Sequence, residues 1–529
     1  MKKCTKISLI VIGVILVLGV VIFTCSDVYL SRFVKKKVDK ALSEFPFGDA
    51  SCGDIQLRIF SGTAQVSDIS FEDSPFGEVH IERIDVGRLF YSALLAHKIS
   101  ISDIRIVRPV ATVLYDSKHP DATFPKIETD SARMRKITKY VDKAELFALK
   151  IDEASVTFKD VATGFAMNAD SVTIRLRNLK YNLQDSTFSY NDSTYRLELA
   201  SFRCFLPDVP MTIEVHDLQT RDAGELTTGA LRIKHATDKR HLATRKKEPD
   251  TWIDLQVKDV RTSPVNLIRK AINKDLTLEA ICVNVKHMDV FRDARFQPRK
   301  PFDMPQNILG QIPLQFFVRS IHANVQKIDV ELASTDVNCG KLQLSRVQAA
   351  VENMSNRPNN TISIHGGCPV GEGKAHAEMH MVMDKACNWD VNLHVQGINT
   401  SFMNPFIRPL VGVASECEVD DLSALYKGDA VKADGKFCMQ YHGLKVKAFK
   451  EDDVPYKAVT QNADIITSAA KNLIPHSNPT EVDVHPRAYM VEWRRDPWQP
   501  FPLYLFGPCI DGVKMTMLPG LYVHKQTHM

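Results

Sequence analysis

From Ile55 onward the apolar residues of this chain recur at every second position, and that period constrains the fold more than any motif. Ile55–Ile59, Val79–Ile84 and Ile99–Ile106 alternate apolar with polar residues, as do Val156–Phe158, Val172–Leu176, Ile253–Val257, Val325–Leu332 and Leu342–Leu344. Successive side chains of an extended strand point to opposite faces, so this pattern predicts strands with one covered and one wet face. The clearest case is Ala375–Met383 followed by Trp389–Val395, with Asp384–Asn388 between them as a hairpin connection. Helical spacing is confined to Asp27–Ser43, Arg88–His97 and Ala463–Ile474, the last ended by Pro475. The expectation is a mainly β chain of antiparallel architecture with a few short helices, one of them near the C-terminus.

Three segments resemble one another: Ile99–Tyr115, Leu146–Phe158 and Phe316–Val330 each read as an apolar strand, a short break and a second strand. Repeated hairpins added edge to edge predict an elongated sheet rather than a closed barrel.

The N-terminus carries a second constraint. After Met1-Lys-Lys-Cys-Thr-Lys6 comes an uncharged apolar run from Ile7 to Phe23, including Ile10, Ile15 and Leu18. At ~1.5 Å per residue it approaches the ~30 Å thickness of the bilayer hydrocarbon when Thr24 and Cys25 are added. Its length exceeds the ~7–15 residue core of a cleaved signal peptide, so an uncleaved single-pass anchor is expected, with cleavage as the alternative. Basic residues flank the run on both sides, Lys2, Lys3 and Lys6 before it and Arg32, Lys35, Lys36 and Lys37 after it. Long soluble domains translocate largely regardless of such charges, so the N-terminus is expected inside and the body outside. The helical segment after the run, with lysines on one face, either continues the anchor or lies along the headgroups.

Composition narrows the function. With 529 residues, 44% hydrophobic and 25% charged, the chain has material for two to four domains or one elongated one. A net charge of +4 implies no nucleic-acid partner. The densest basic stretch, Lys239-Arg240-His241 to Arg245-Lys246-Lys247, lacks interleaved aromatics and reads as a solvated loop. The 11 cysteines are scattered singly with no CxxC pair, which fits isolated buried thiols and no zinc framework.

No catalytic constellation emerges, and the chain is expected to be non-enzymatic and without cofactor. Gly366–Lys374 looks like a phosphate loop but has Cys368 where the first glycine belongs, and no Ser or Thr follows Lys374. A strand-like segment follows it, so a glycine-rich hairpin turn is expected. His376, Glu378 and His380 share one face of a strand at a spacing metals use, but no further ligand is evident and no metal site is expected.

The motif order resembles the AsmA-like family of membrane-anchored bacterial envelope proteins. The resemblance rests on the anchor, on Gly77–Tyr115, on Val395–Pro405, on Lys432–Val446, and on the tail with Ile465–Ile474, Asn478-Pro479 and Arg494–Trp498, which looks like that of Bacteroides-type members. The central ~200 residues match in strand pattern alone. Pro500, Pro502 and Pro508 depart from the family's ending and argue against a continuous terminal helix.

The resemblance implies a long, twisted antiparallel sheet curled into an apolar groove that projects from the inner membrane into the periplasm. It implies phospholipids as partners, with outer-membrane assembly components as further ones, and a part in phospholipid transport or outer-membrane assembly. The expected divisions are an anchor (1–25), a juxtamembrane helix (26–45), an N-terminal β-unit (46–200), a β-groove (201–450) and a C-terminal helix and tail (451–529). Ile253, Leu255, Met379, Met381, Met383, Val391 and Leu393 are expected to line the groove. The alternative is a membrane-tethered β-sandwich array that binds protein or glycan, its two sheets buried against each other.

Overall fold

The computed structural model describes residues 27–527 apart from several internal stretches, the longest being 119–142, 242–250, 266–274 and 450–462. The anchor residues Ile7, Ile10, Ile15, Leu18 and Phe23 lie outside the described residues. Among the described residues no helix is long and apolar enough to cross a membrane. The chain is mainly β and divides into two compact units, one ending at Thr227 and one beginning at Thr228.

Helix α1 (27–40) opens the first unit. Its strands are β1 (Asp49–Ser51), β2 (Ile55–Arg58), β3 (Thr63–Ser74), β4 (Gly77–Val86), β5 (Lys98–Tyr115), β6 (Lys143–Asp160), β7 (Ala166–Asn182), β8 (Thr187–Ser189), β9 (Arg196–Leu206), β10 (Met211–Thr220) and β11 (Glu225–Thr228). A short helix α2 (Tyr91–Leu94) precedes β5 where a longer one was expected. The sheet is a meander. β1 and β2 share one side of β3, β8 and β9 share one side of β7, and the remaining strands pair in chain order.

The second unit continues with β12 (Ala230–His235), β13 (Thr251–Pro264), β14 (Asp275–Asp293), β15 (Gln315–Ala333), β16 (Cys339–Ser355), β17 (Thr361–Val370), β18 (Gly373–Val382), β19 (Trp389–Asn399), β20 (Val413–Gly428), β21 (Lys432–Ala448), β22 (Ala488–Arg494) and β23 (Gln526–Thr527), again paired in order. Among its described residues are the α-helices α3 (Pro305–Gly310), α4 (Asn404–Val411), α5 (Ala463–Leu473) and α6 (Phe501–Met517).

The expected all-antiparallel pairing is wrong at one place in each unit. β5 and β6 run parallel, and so do β14 and β15, which makes the pairing mixed in each unit. A parallel neighbour needs a crossover of about a dozen residues or more, and residues 116–142 and 294–314 supply that length. Alternation cannot report strand direction, so these long connections were the only cue.

The three similar segments are not hairpins either. Ile99–Tyr115 lies within β5, Leu146–Phe158 within β6 and Phe316–Val330 within β15, each a single strand of 18 or 19 residues. In β5 and β6 the break falls at a positive-φ residue, Arg108 and Glu153 respectively, whereas the register of β15 runs unbroken. In the first unit Asp68, Arg108, Glu153, Ser171 and Asp217 all have φ between 50 and 55°, except Arg108 at 46°. The strand registers place these five residues on one line crossing the sheet from β3 to β10. Pairing stays in register across this line except between β6 and β7, so the strands pass through it in step, and the apolar residues on its two sides are an odd number of positions apart, which resets the alternation and keeps them on one face.

The second unit closes its C-terminal end with a packed core. The apolar face of β18–β22 is covered by α6 and by Met304 at the start of α3. Trp389 sits at its centre, in edge-to-face contact with Tyr426, Phe501 and Tyr504 at 5.9, 5.8 and 5.3 Å. The doubt raised by the prolines is overturned, since α6 runs for 17 residues. Pro500 caps it, and Pro502 falls in the first turn, where no amide hydrogen is needed. Pro508 is internal and leaves Tyr504 O without its helical amide, and the Tyr426 hydroxyl donates to the neighbouring carbonyl, Leu505 O, at 2.8 Å. Asn478, fully buried, pins the preceding segment: its amide nitrogen donates to Met439 O at 2.7 Å, and its oxygen accepts from Arg487 N at 2.9 Å.

Candidate functional site

The broadest feature with chemical potential is the apolar face of the first unit. Strand pairing lines up its residues in rows across the sheet. One row runs Ile55, Val66, Ile84, Ile106, Ile151, Ile174, Leu197. A second runs Leu57, Ala64, Val86, Ile104, Leu149, Leu176, and beyond the positive-φ line a third joins Phe71, Val79, Ala111, Val156, Ala169 and Phe202. Most of these side chains are half-buried, Ile55 and Leu176 being the fully buried ones.

Each strand makes its extensive contacts with its hydrogen-bonded neighbours, and among the described residues both clusters of buried apolar side chains lie in the second unit. Apolar surface left in this state retains about 25 cal/mol per Å² of unrealised burial energy, or about 1 kcal/mol for each half-exposed isoleucine. Among the described residues, the side chains of these rows are aliphatic or phenylalanine and carry no reacting group.

The second unit repeats the arrangement in its first half. Ile253 pairs with Val290, Val330 and Leu342 in one row, and Leu255 with Met288, Ile328 and Leu344 in the next, all half-buried. A further row starts at Ile281 and Ile321, passes through Val351 and Ile364, and ends under α6 at Met379, Val391 and Tyr426. The open face and the closed core of this unit are thus one surface, covered at one end.

This separates the seven expected groove residues into two sets. Ile253 and Leu255 lie on the open part. Met379, Met381, Met383 and Val391 are 4–8% exposed within the closed core, and Leu393 packs against it. For these five the expected open lining is corrected, because helices cover the strands there. The rows of the first unit went unnamed at the sequence level, although the β-branched run Ile99–Ile106 carried their signal.

On β17–β19 the opposite face is polar. Glu378 Oε1 lies 3.5 Å from His365 Nδ1 and 3.6 Å from His380 Nε2, and His380 Nδ1 lies 2.9 Å from Asp390. His376 is exposed on the same strand. The imidazoles of His365 and His380 are thus engaged with carboxylates, and among the described residues no group of three or more ligands is arranged to hold a metal ion.

Gly366–Lys374 forms the β17–β18 hairpin, with Gly371 at φ 61° in its turn, so no helix N-terminus is offered to a phosphate. Lys239, from the basic stretch, is not a solvated loop residue: it pairs with Asp289 at 3.2 Å and Glu331 at 3.1 Å.

The described cysteines are unpaired, and four of them, Cys204, Cys387, Cys417 and Cys438, are buried. Burial pushes the Cys438 thiol up to about 11 and the Tyr441 phenol up to about 12, so neither is poised as a nucleophile or base near neutral pH. No protein-family model, curated protein or solved structure matches the chain.

Proposed function

We propose that this is a non-enzymatic, membrane-anchored envelope protein of AsmA-like type, with its body in the periplasm and its sheets curled into apolar grooves that shield phospholipid acyl chains. In this reading it supports phospholipid transport or outer-membrane assembly. The reading is carried by one observation: rows of partly buried aliphatic side chains run from strand to strand across the first unit, and recur in the first half of the second. An acyl chain lying along such rows would recover burial energy that the protein alone leaves unrealised.

The β-sandwich reading would bury each face against another sheet. The large closed core is instead completed by α3 and α6, which favours the lipid reading.

The test is mass spectrometry of lipids that co-purify with the full chain in mild detergent. Phospholipid is expected at or above about one per chain. Ile151→Glu is expected to reduce it several-fold while circular dichroism stays unchanged. Met381→Glu is expected to lower thermal stability instead, because it buries a carboxylate in a closed core. Lipid-free wild type, or full retention by Ile151→Glu, would sink the proposal.

A further inference from the structure

Helix α1 has two faces with different fates. Its inner face is committed to the sheet edge: Asp27 Oδ1 accepts from Ile59 N at 3.1 Å, Ser31 Oγ accepts from Leu57 N at 2.9 Å, and Lys35 donates to Cys52 O. These are backbone groups that an edge strand such as β2 would otherwise leave open, and α1 caps them. Leu30, Val34 and Val38 point the same way and are half-buried.

The outer face carries Val28, Tyr29 and Phe33, which are 53, 76 and 51% exposed, followed by the exposed cations Arg32, Lys36, Lys37 and Lys40. Large apolar groups lie toward one end of this face and cations toward the other, and Val28 and Arg32 at its margin also border a cavity against 54–58. Lys37 Nζ lies 5.9 Å from the centre of the Phe33 ring.

We propose that the outer face of α1 contacts the surface of an anionic bilayer, with Val28, Tyr29 and Phe33 in the interface and Arg32, Lys36 and Lys37 against lipid phosphates. Two arguments select this occupant. The charge complements an anionic surface, where clustered basic residues beside apolar ones give interfacial binding. The apolar run Ile7–Phe23 ends four residues before Asp27, a span of at most about 14 Å, so a bilayer holding that run would lie within reach of the first turn of α1. The inference stands apart from what the apolar rows carry, since it uses neither sheet face. It also decides between the two fates left open for this segment: the helix is held by the body of the protein and lies against the headgroups.

The test uses the full chain with Phe33→Trp, reconstituted into phosphatidylcholine vesicles with or without phosphatidylglycerol. The emission of the parent chain, with its 4 native tryptophans, is subtracted. The added emission is expected to be blue-shifted and quenched by acyl-brominated lipid, more strongly when phosphatidylglycerol is present. Combining it with Arg32→Glu, Lys36→Glu and Lys37→Glu, which leaves the contacts of Asp27, Ser31 and Lys35 intact, is expected to abolish that dependence with no change in melting temperature.

A water-exposed emission, insensitive to brominated lipid in both vesicles, would overturn the proposal. So would a blue shift that grows with protein density and ignores brominated lipid, which would assign the face to a second copy of the chain. Loss of co-purified lipid in Ile151→Glu bears on the acyl-chain reading alone and leaves this outcome unmoved.

Discussion

Asp254 shows how much one residue's surroundings decide. It is 8% exposed, and burial alone would raise its carboxyl, but Arg232 donates to it from Nε at 3.0 Å and Nη2 at 2.7 Å and holds it below the ordinary 3.8. A depressed carboxyl contributes stability that is full above the unfolded-state pKa and is lost as pH falls through the folded-state value. The stability difference between wild type and Asp254→Asn, from urea midpoints, is therefore expected to be constant above about pH 5 and to shrink below about pH 4. A difference that grows on acidification would refute this account. Nothing in the alternation of Ile253–Val257 marks Asp254 as paired, because its partner is on another strand. The same holds for Met379, Met381 and Met383: an alternating strand reads identically whether water, lipid or a helix covers its apolar side.

At the scale of elements, α6 shows what local sequence hides. Prolines at 500, 502 and 508 read as breakers, yet two sit where a helix begins and the third leaves Tyr504 O without its helical amide, beside the carbonyl that accepts from Tyr426 OH. The helix also approaches closely: a Cβ at Gly507 would collide with Trp493, and one at Gly512 with the buried ring of Phe437. Alanine in place of glycine gains about 1 kcal/mol of helix propensity, but overpacking against a ring that cannot move costs about 1–3 kcal/mol. Gly512→Ala is expected to lower unfolding stability by up to about 2 kcal/mol, whereas Gly310→Ala, with open space around it, should not. Equal melting temperatures for the two variants would contradict the seating of α6. Strand positions, the Asp384–Asn388 turn and α5 were legible because period and turn chemistry are local. Parallel pairing and strand continuity through the positive-φ positions depend on partners far away in sequence, and were not.

At the scale of the whole molecule, each unit is a meander interrupted once by a parallel pair of its longest strands, but they differ in how they are finished. The second unit has a closed aromatic core under α6, and the first has its apolar rows half-exposed. A ligand stabilises whatever binds it by mass action. Hydrogen exchange of the full chain is therefore expected to slow in β4–β7 when phospholipid is supplied, with β20–β22 unchanged. Uniform protection, or none, would remove the distinction between the units.

The five positive-φ residues from Asp68 to Asp217 have a mechanical corollary. Torsions fixed in the backbone do not depend on what covers the sheet, so under the proposed lipid reading an acyl chain would find these rows already set, with little reshaping needed at loading or release.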